Sequence, residues 1–209
     1  MPKGWRKQQS QDRYFRRAKS EGYRARSAYK LLQIDEKYHI LLPGASVLDL
    51  GAAPGSWSQV ARKVCRPNSR VVAVDLQPIQ PLPGVQTLQC DIGEPACQEQ
   101  MKAALPAGAD VVLSDVSPRI SGIAITDHAR SLDLAAASLQ VATRLLHKGG
   151  AFVVKVFQGE GFAGFVEECK GHFERVHVFS PQASREESNE RYVVCLRARE
   201  GGQSGSKPP

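Results

Sequence analysis

No two cysteines in this 209-residue chain have the C-x-x-C spacing of a zinc site, and the five present (Cys65, Cys90, Cys97, Cys169, Cys195) are odd in number. A structural metal or a disulfide framework is therefore not expected, and the thiols read as reduced and mostly buried. The five histidines are scattered without ligand spacing, so no metal is expected from them either. No apolar run reaches the ~20 residues that span a bilayer, and the N-terminus lacks an apolar signal core. These absences exclude a membrane protein and point to a soluble protein of the cytoplasm.

Acidic residues are scarce at one end. Between Lys3 and Lys30 only Asp12 and Glu21 oppose ten Lys or Arg, whereas the rest of the chain is within one charge of neutral. The net charge of +7 is thus a local feature. Trp5, Tyr14, Phe15, Tyr23 and Tyr29 are interleaved with it, a mixture suited to tracking phosphates and stacking on bases. An Arg-rich transit peptide is the weaker reading, because the basic run leads directly into a plausible helix. With 42% apolar and 23% charged residues the chain is globular in composition, and its length suits one domain. The expected organisation is a basic, RNA-contacting, partly disordered arm over 1–25, a folded domain over 26–199, and a disordered Gly/Ser/Pro tail over 200–209.

Within the domain, apolar runs of strand length alternate with helical patterns. Strands are predicted at 46–50, 70–75, 85–91, 110–115, 151–157, 176–179 and 191–197. Helices are predicted from Ala28, through Val60 and Val64, over 94–105, over 132–146 and near 162–169. Alternation of this kind predicts an α/β doubly wound, Rossmann-like fold: a mostly parallel seven-stranded sheet with helices on both faces. The last two strands have no helix between them, so one antiparallel edge strand is expected.

Ligands of such sheets bind beyond the carboxyl ends of the strands. The first of these ends is Asp49-Leu-Gly-Ala-Ala-Pro-Gly-Ser-Trp57. Gly51 permits a tight turn, and Gly55 is expected to let backbone approach a ligand closely. The spacing is not G-x-G-x-x-G, which counts against a dinucleotide. Aspartates close the next three strands. Asp75 is placed to accept ribose hydroxyls, Asp91 to read an adenine amino group, and Asp115 to meet the reacting end. Aspartates tolerate a sulfonium and an amino group better than they tolerate phosphates, so the cofactor predicted is S-adenosylmethionine.

The acceptor is narrowed by what is missing. Ser114-Asp-Val-Ser-Pro-Arg119 offers no aromatic to stack on a flipped base, and neither Pro-Cys nor Thr-Cys occurs to supply a nucleophile for pyrimidine carbon. An oxygen acceptor or a small molecule remains. A hydroxyl acceptor needs a base. Lys155 lies inside the apolar run Val153-Val-Lys-Val-Phe157, where burial disfavours the charged amine, and His128 is a rival.

The segments Arg26-Ser-Ala-Tyr-Lys-Leu31, Leu48 to Gln59, Leu113-Ser-Asp115, Val154-Lys-Val-Phe157 and Ser184 to Tyr192 closely resemble the FtsJ/RrmJ (RlmE) family of ribose 2′-O-methyltransferases. The resemblance covers about Ser20 to Arg199. It implies a catalytic tetrad of Lys30, Asp115, Lys155 and Glu190, with Lys155 as general base, Asp115 orienting it, and Lys30 and Glu190 positioning the ribose. It also implies cofactor contacts at Gly55, Trp57, Asp75, Asp91 and Asp115, to which the reading of the residues adds Gly51. The family modifies a uridine in the A loop of 23S ribosomal RNA, so the implied partner is the large ribosomal subunit, met by a monomer. Small departures from the family pattern occur at Ser56, at Val116-Ser-Pro118 and at Arg191.

Overall fold

The computed structural model describes residues 12–118, 120–185 and 188–199. The first half of the basic arm, Arg119, Glu186, Glu187 and the expected tail lie outside the described residues. The elements run α1 (Arg13–Ser20), α2 (Ala28–Tyr38), β1 (Val47–Leu50), α3 (Ser56–Val64), β2 (Val71–Asp75), β3 (Val85–Gln89) and α4 (Pro95–Ala104). They continue with β4 (Ala109–Ser114), α5 (Ala124–Leu145), β5 (Leu146–Phe157), α6 (Phe162–His172), β6 (Phe173–Phe179) and β7 (Glu190–Ala198).

The seven strands form one sheet in the order β3-β2-β1-β4-β5-β7-β6. All pairs from β3 to β5 are parallel, and β7 is antiparallel to both its neighbours. The antiparallel member expected at the margin thus sits one place in. After α6 the chain lays β6 at the outside, leaving a gap beside β5. With no crossover helix to follow, β7 can only turn back into that gap.

Two apolar layers sandwich the sheet. Strand side chains alternate between faces, so Leu48, Val112, Phe152 and Val154 join α4, α5 and α6, whereas Val47, Leu113 and Val153 join α2 and α3. This alternation fixes where the polar exceptions point. Asp49 and Lys155 share parity with Val47 and Val153, so both face the α2–α3 layer. No helix among the described residues is long and apolar enough to cross a membrane.

Helix α1 gives part of the basic arm a definite shape. Asp12 caps it by accepting from the Tyr14 and Phe15 N–H groups, and Asp12 also pairs with Arg26. Its apolar stripe, Tyr14 and Ala18, packs with Tyr29 and Ala183. Arg13, Arg16, Arg17 and Lys19 remain exposed on the other side. Helix α5 begins at Ala124, eight residues earlier than its apolar repeat indicates. Asp127 in its first turn accepts from Ser121 N at 2.7 Å and Gly122 N at 3.1 Å, tying the preceding loop to the helix, which no apolar period reveals.

Candidate active site

The loop after β1 opens the site. Gly51 and Gly55 both have positive φ, +67° and +104°, conformations that L side chains rarely adopt. A Cβ at Gly51 would fall 2.5 Å from a Val116 methyl and 2.9 Å from its Cα, so this glycine lets the chain leaving β4 cross the loop. At Gly55 a Cβ would meet Arg24 Nη1 at 2.9 Å and Leu82 Cδ1 at 3.0 Å. Protein therefore occupies the side-chain direction at Gly55, and what Gly55 can present to a ligand is its main chain. Helix α3 starts at the next residue, and its first-turn N–H groups lack helical partners at that end.

Trp57 is in that first turn, but its indole is not lining. The ring is 2% exposed, donates from Nε1 to the Ser27 carbonyl at 2.8 Å and packs 5.8 Å from the Tyr192 ring. What Trp57 can present to a ligand is its main chain. Asp75 ends β2, with Oδ2 accepting from Ala53 N at 2.9 Å and Oδ1 from Gln77 N at 2.8 Å. A carboxylate has about four acceptor positions, so two remain for hydroxyls. Asp91 lies two residues past the end of β3, exposed, with Oδ1 accepting from Gly93 N at 2.9 Å. Cys90 and Cys97 flank this turn and are joined in a disulfide, contrary to the reduced state expected for all five thiols. The strand end and the first turn of α4 bring their Cα atoms to 5.6 Å, a proximity that a spacing of seven residues does not disclose. Cys65, Cys169 and Cys195 are free and buried.

Asp49 received no role from its sequence position, yet it is fully buried beneath the loop. Ser58 donates to its Oδ2 at 2.6 Å, while Oδ1 has no partner among the described residues. Burial pushes its carboxyl up to about 7 despite the Ser58 bond, and the nearby Asp115 and Asp75 add to the effect. An aspartate within Val-Leu-Asp-Leu was the available signal.

The four tetrad residues converge in two linked pairs. Lys155 Nζ donates to the Asp115 carbonyl at 2.8 Å and lies 3.1 Å from Asp115 Oδ1. Lys30 Nζ donates to Glu190 Oε2 at 2.7 Å. Tyr192, which the sequence reading passed over, joins the pairs. It is opposite Lys155 in the β5–β7 register, its hydroxyl donates to Asp115 Oδ1 at 2.8 Å, and Lys30 Nζ lies 5.6 Å from its ring centre. For Asp115, burial pushes upward most strongly, but Lys155, Lys30 and the Tyr192 hydroxyl together outweigh it and hold the carboxyl below its ordinary value. The Tyr192 phenol, buried beside two carboxylates, is held well above its own. His128 braces the loop after β5: its Nε2 donates to the Glu160 carbonyl, and a Cβ on Gly159 would fall 2.9 Å from its ring.

Beside the tetrad lies a cavity of about 440 Å³ lined by Arg26, Ser27, Lys30, Arg185, Ser188 and Glu190. Arg26 donates to the Ala183 carbonyl and pairs with Asp12, which anchors the basic helix α1 at the groove's edge. Among the described residues no group of three His, Cys, Asp or Glu could hold a metal ion.

Comparison with known proteins bears on this arrangement. The model of the FtsJ-like methyltransferase family matches residues 23–198. The chain is 55% identical to the ribosomal RNA large subunit methyltransferase E of Methanothrix thermoacetophila, over 88% of this chain and 71% of that one. It is 49% identical to the protein of the same name from Azoarcus sp., over 94% of this chain and 97% of that one. Among solved structures, a Plasmodium falciparum chain assigned as a ribosomal RNA methyltransferase superposes with a TM-score of 0.77 at 29% identity, covering 84% of this chain and 98% of that one. The fold is also that of Aeropyrum pernix fibrillarin bound to S-adenosyl-L-methionine, with a TM-score of 0.59 at 15% identity over 81% of this chain and 73% of that one.

Proposed function

The chain belongs to the FtsJ-like methyltransferase family, and on that premise we propose that it methylates the 2′-hydroxyl of a uridine in the A loop of 23S ribosomal RNA, with S-adenosylmethionine as methyl donor and Lys155 as general base. The observation that carries the reading is the placing of the Lys155 amine, buried in an apolar strand and held by the carbonyl and Oδ1 of Asp115. The names of the relatives support a ribosomal RNA substrate in the large subunit.

The lining suits this donor. Asp75, Asp91 and Asp115 make it anionic, and the first turn of α3 offers main-chain N–H groups; Asp49 lies beneath it, with one buried oxygen lacking a partner among the described residues. Asp75 would hold the ribose hydroxyls, Asp91 the adenine edge, and Gly51, Gly55 and the main chain of Trp57 the body of the cofactor. When bound, S-adenosylmethionine supplies an electrophilic methyl group.

The chemistry left to the protein is removal of the hydroxyl proton. To act as base, Lys155 first releases a proton to solvent; the amine that results has two N–H bonds and one lone pair, and keeping both N–H bonds on the Asp115 carbonyl and carboxylate would leave the lone pair for an incoming hydroxyl. Asp115 stabilises the ammonium that then forms. Lys30, held by Glu190, places a positive charge at the mouth of the groove, where a nucleotide phosphate or ribose oxygen would enter. Recognition of the RNA then falls to the exposed basic face of α1 with Arg26 and Arg185, which favours phosphates and shape over base edges.

Methyl transfer from labelled cofactor should be measured on isolated ribosomal RNA, assembled large subunits and capped RNA, with wild type and Lys155→Ala. The expected loss in the variant is about 10²–10⁴-fold, typical of a general base. Activity within a few-fold of wild type would remove Lys155 from that role. A subunit assembly defect rescued by the inactive variant would instead favour an assembly factor whose chemistry is dispensable.

A further inference from the structure

Arg24 belongs by sequence to the basic run, yet its side chain turns inward. Nη1 donates to the Pro54 carbonyl at 2.8 Å and the Gln80 carbonyl at 2.7 Å, and Nη2 donates to the Pro81 carbonyl at 2.9 Å. Its main chain is fixed as well. Arg24 N donates to Gln59 Oε1 at 2.8 Å, and Gln59 Nε2 donates back to the Gly22 carbonyl at 3.0 Å.

Those carbonyls belong to two different walls. Pro54 lies in the loop between β1 and α3; Gln80 and Pro81 lie in the segment that leaves Asp75 at the end of β2. At their root the walls are joined by Asp75 and Ala53. Farther out, the second wall reads Leu76-Gln-Pro-Ile-Gln-Pro-Leu-Pro-Gly84. Its prolines have no N–H, so this wall is poorly equipped to brace itself. The Leu76 and Leu82 carbonyls already accept from Gln89 Nε2 and Val85 N; those of Gln80 and Pro81 accept from Arg24, whose planar guanidinium can bond several at once where an ammonium acts as a point donor. Gly55 admits the guanidinium: a Cβ there would come within 2.9 Å of Nη1.

We propose that Arg24 is a positioning residue for the cofactor: it clasps the Pro54 loop to the Gln80–Pro81 segment and so fixes the width of the cleft between them. This rests on the reading of that cleft as the S-adenosylmethionine site. Arg24 acts through the main chain of the two walls and leaves the proton-transfer tetrad untouched. It is therefore separated in role from Arg13, Arg16, Arg17 and Lys19, whose side chains are exposed.

The test measures binding of S-adenosylhomocysteine by titration calorimetry, together with KM for cofactor and for RNA, for wild type, Arg24→Met and Arg24→Lys. Both variants are expected to bind at least ten-fold more weakly and to raise the cofactor KM in step. The rate at saturating cofactor, the RNA KM and the unfolding midpoint without ligand should stay near wild type. Lysine keeps the charge but not the fork, so it should not rescue. Unchanged binding of S-adenosylhomocysteine, with a raised, salt-sensitive RNA KM that Arg24→Lys restores, would overturn the proposal and make Arg24 a phosphate contact. Should Arg24→Met unfold, the folded Arg24→Lys protein decides alone. Wild type that binds no S-adenosylhomocysteine would overturn the cofactor reading and this inference with it; wild-type binding matched by both variants would overturn this inference only.

Discussion

Replacing Asp49 by asparagine should make the protein's stability less dependent on pH, and the size of the effect follows from the burial of this carboxyl. Its ordinary value of 3.8 rises to about 7 in the fold. The folded state therefore holds a proton that the unfolded chain releases. Stability from this group is complete below the unfolded value and is lost as pH rises to the folded one. At 1.36 kcal/mol per pH unit, the full loss is about 4 kcal/mol. Between about pH 5 and pH 8 the same relation gives about 2.5 kcal/mol, or about 5–10 °C of unfolding midpoint for a chain of this size. An asparagine side chain cannot ionise, yet its amide oxygen can still accept from Ser58. Denaturant unfolding of both proteins, without cofactor, should be followed across that range. The other titrating groups cancel in the difference, so the Asp49→Asn variant should gain on wild type by about 2.5 kcal/mol as pH rises. Only the slope matters, because any constant cost of the exchange drops out of it. A difference that stays flat with pH would refute the reasoning and leave Asp49 ionised throughout.

Tyr192→Phe removes the hydroxyl that donates to Asp115 and should cost about 1.5–3 kcal/mol in unfolding experiments near neutrality, as for a bond to a charged acceptor. Because Asp115 is held below its ordinary value, its stabilisation is present above the unfolded value and disappears as pH falls, so the cost of Tyr192→Phe should shrink in acid. A cost that is independent of pH would mean that only packing was lost. For Lys30 and Glu190, whose side chains are 11% and 19% exposed, a double-mutant cycle with Lys30→Met and Glu190→Gln should give a coupling of about 1–3 kcal/mol, above the ~0–1 kcal/mol of a surface pair. Coupling near zero would show that the pair is solvated in solution.

The sheet was legible because buried parallel strands write themselves as uninterrupted Val and Leu, as in Arg70-Val-Val-Ala-Val-Asp75, and because acids punctuate their ends. Lys155 was legible for the opposite reason: a charge in such a run must be accounted for. What stayed hidden depends on long-range partners. Trp57 is a cofactor contact by resemblance alone, and nothing local discloses that its indole N–H bonds the carbonyl of Ser27, at the start of α2. The side-chain direction at Gly55 is occupied by Arg24, thirty-one positions earlier in the chain, which no local spacing discloses. Tyr192 reads as an ordinary strand aromatic until the antiparallel register sets it opposite Lys155. The start of α5 is not legible because Ile123 and Ile125 face solvent and break the apolar period, while Asp127 acts on the preceding loop at Ser121 and Gly122.

Register and burial together make the tetrad a single electrostatic unit. Lys155 contacts Asp115 directly, and Lys30 reaches it through space, since both ammonium groups depress the Asp115 carboxyl. Tyr192 carries the physical link, with its hydroxyl on Asp115 and its ring beneath Lys30. Removing either acid would leave an ammonium in a nearly closed site without its counter-charge, and removing either lysine would strand a carboxylate. Each single substitution therefore changes the charge state of the residues that remain, as well as deleting its own contact. The rates of single variants should fall by amounts that do not add, with the double variant Lys30→Met, Glu190→Gln less impaired than the product of its parts. The neutral pair restores the charge balance around Asp115 that either single change upsets, and Lys155 keeps its own partner.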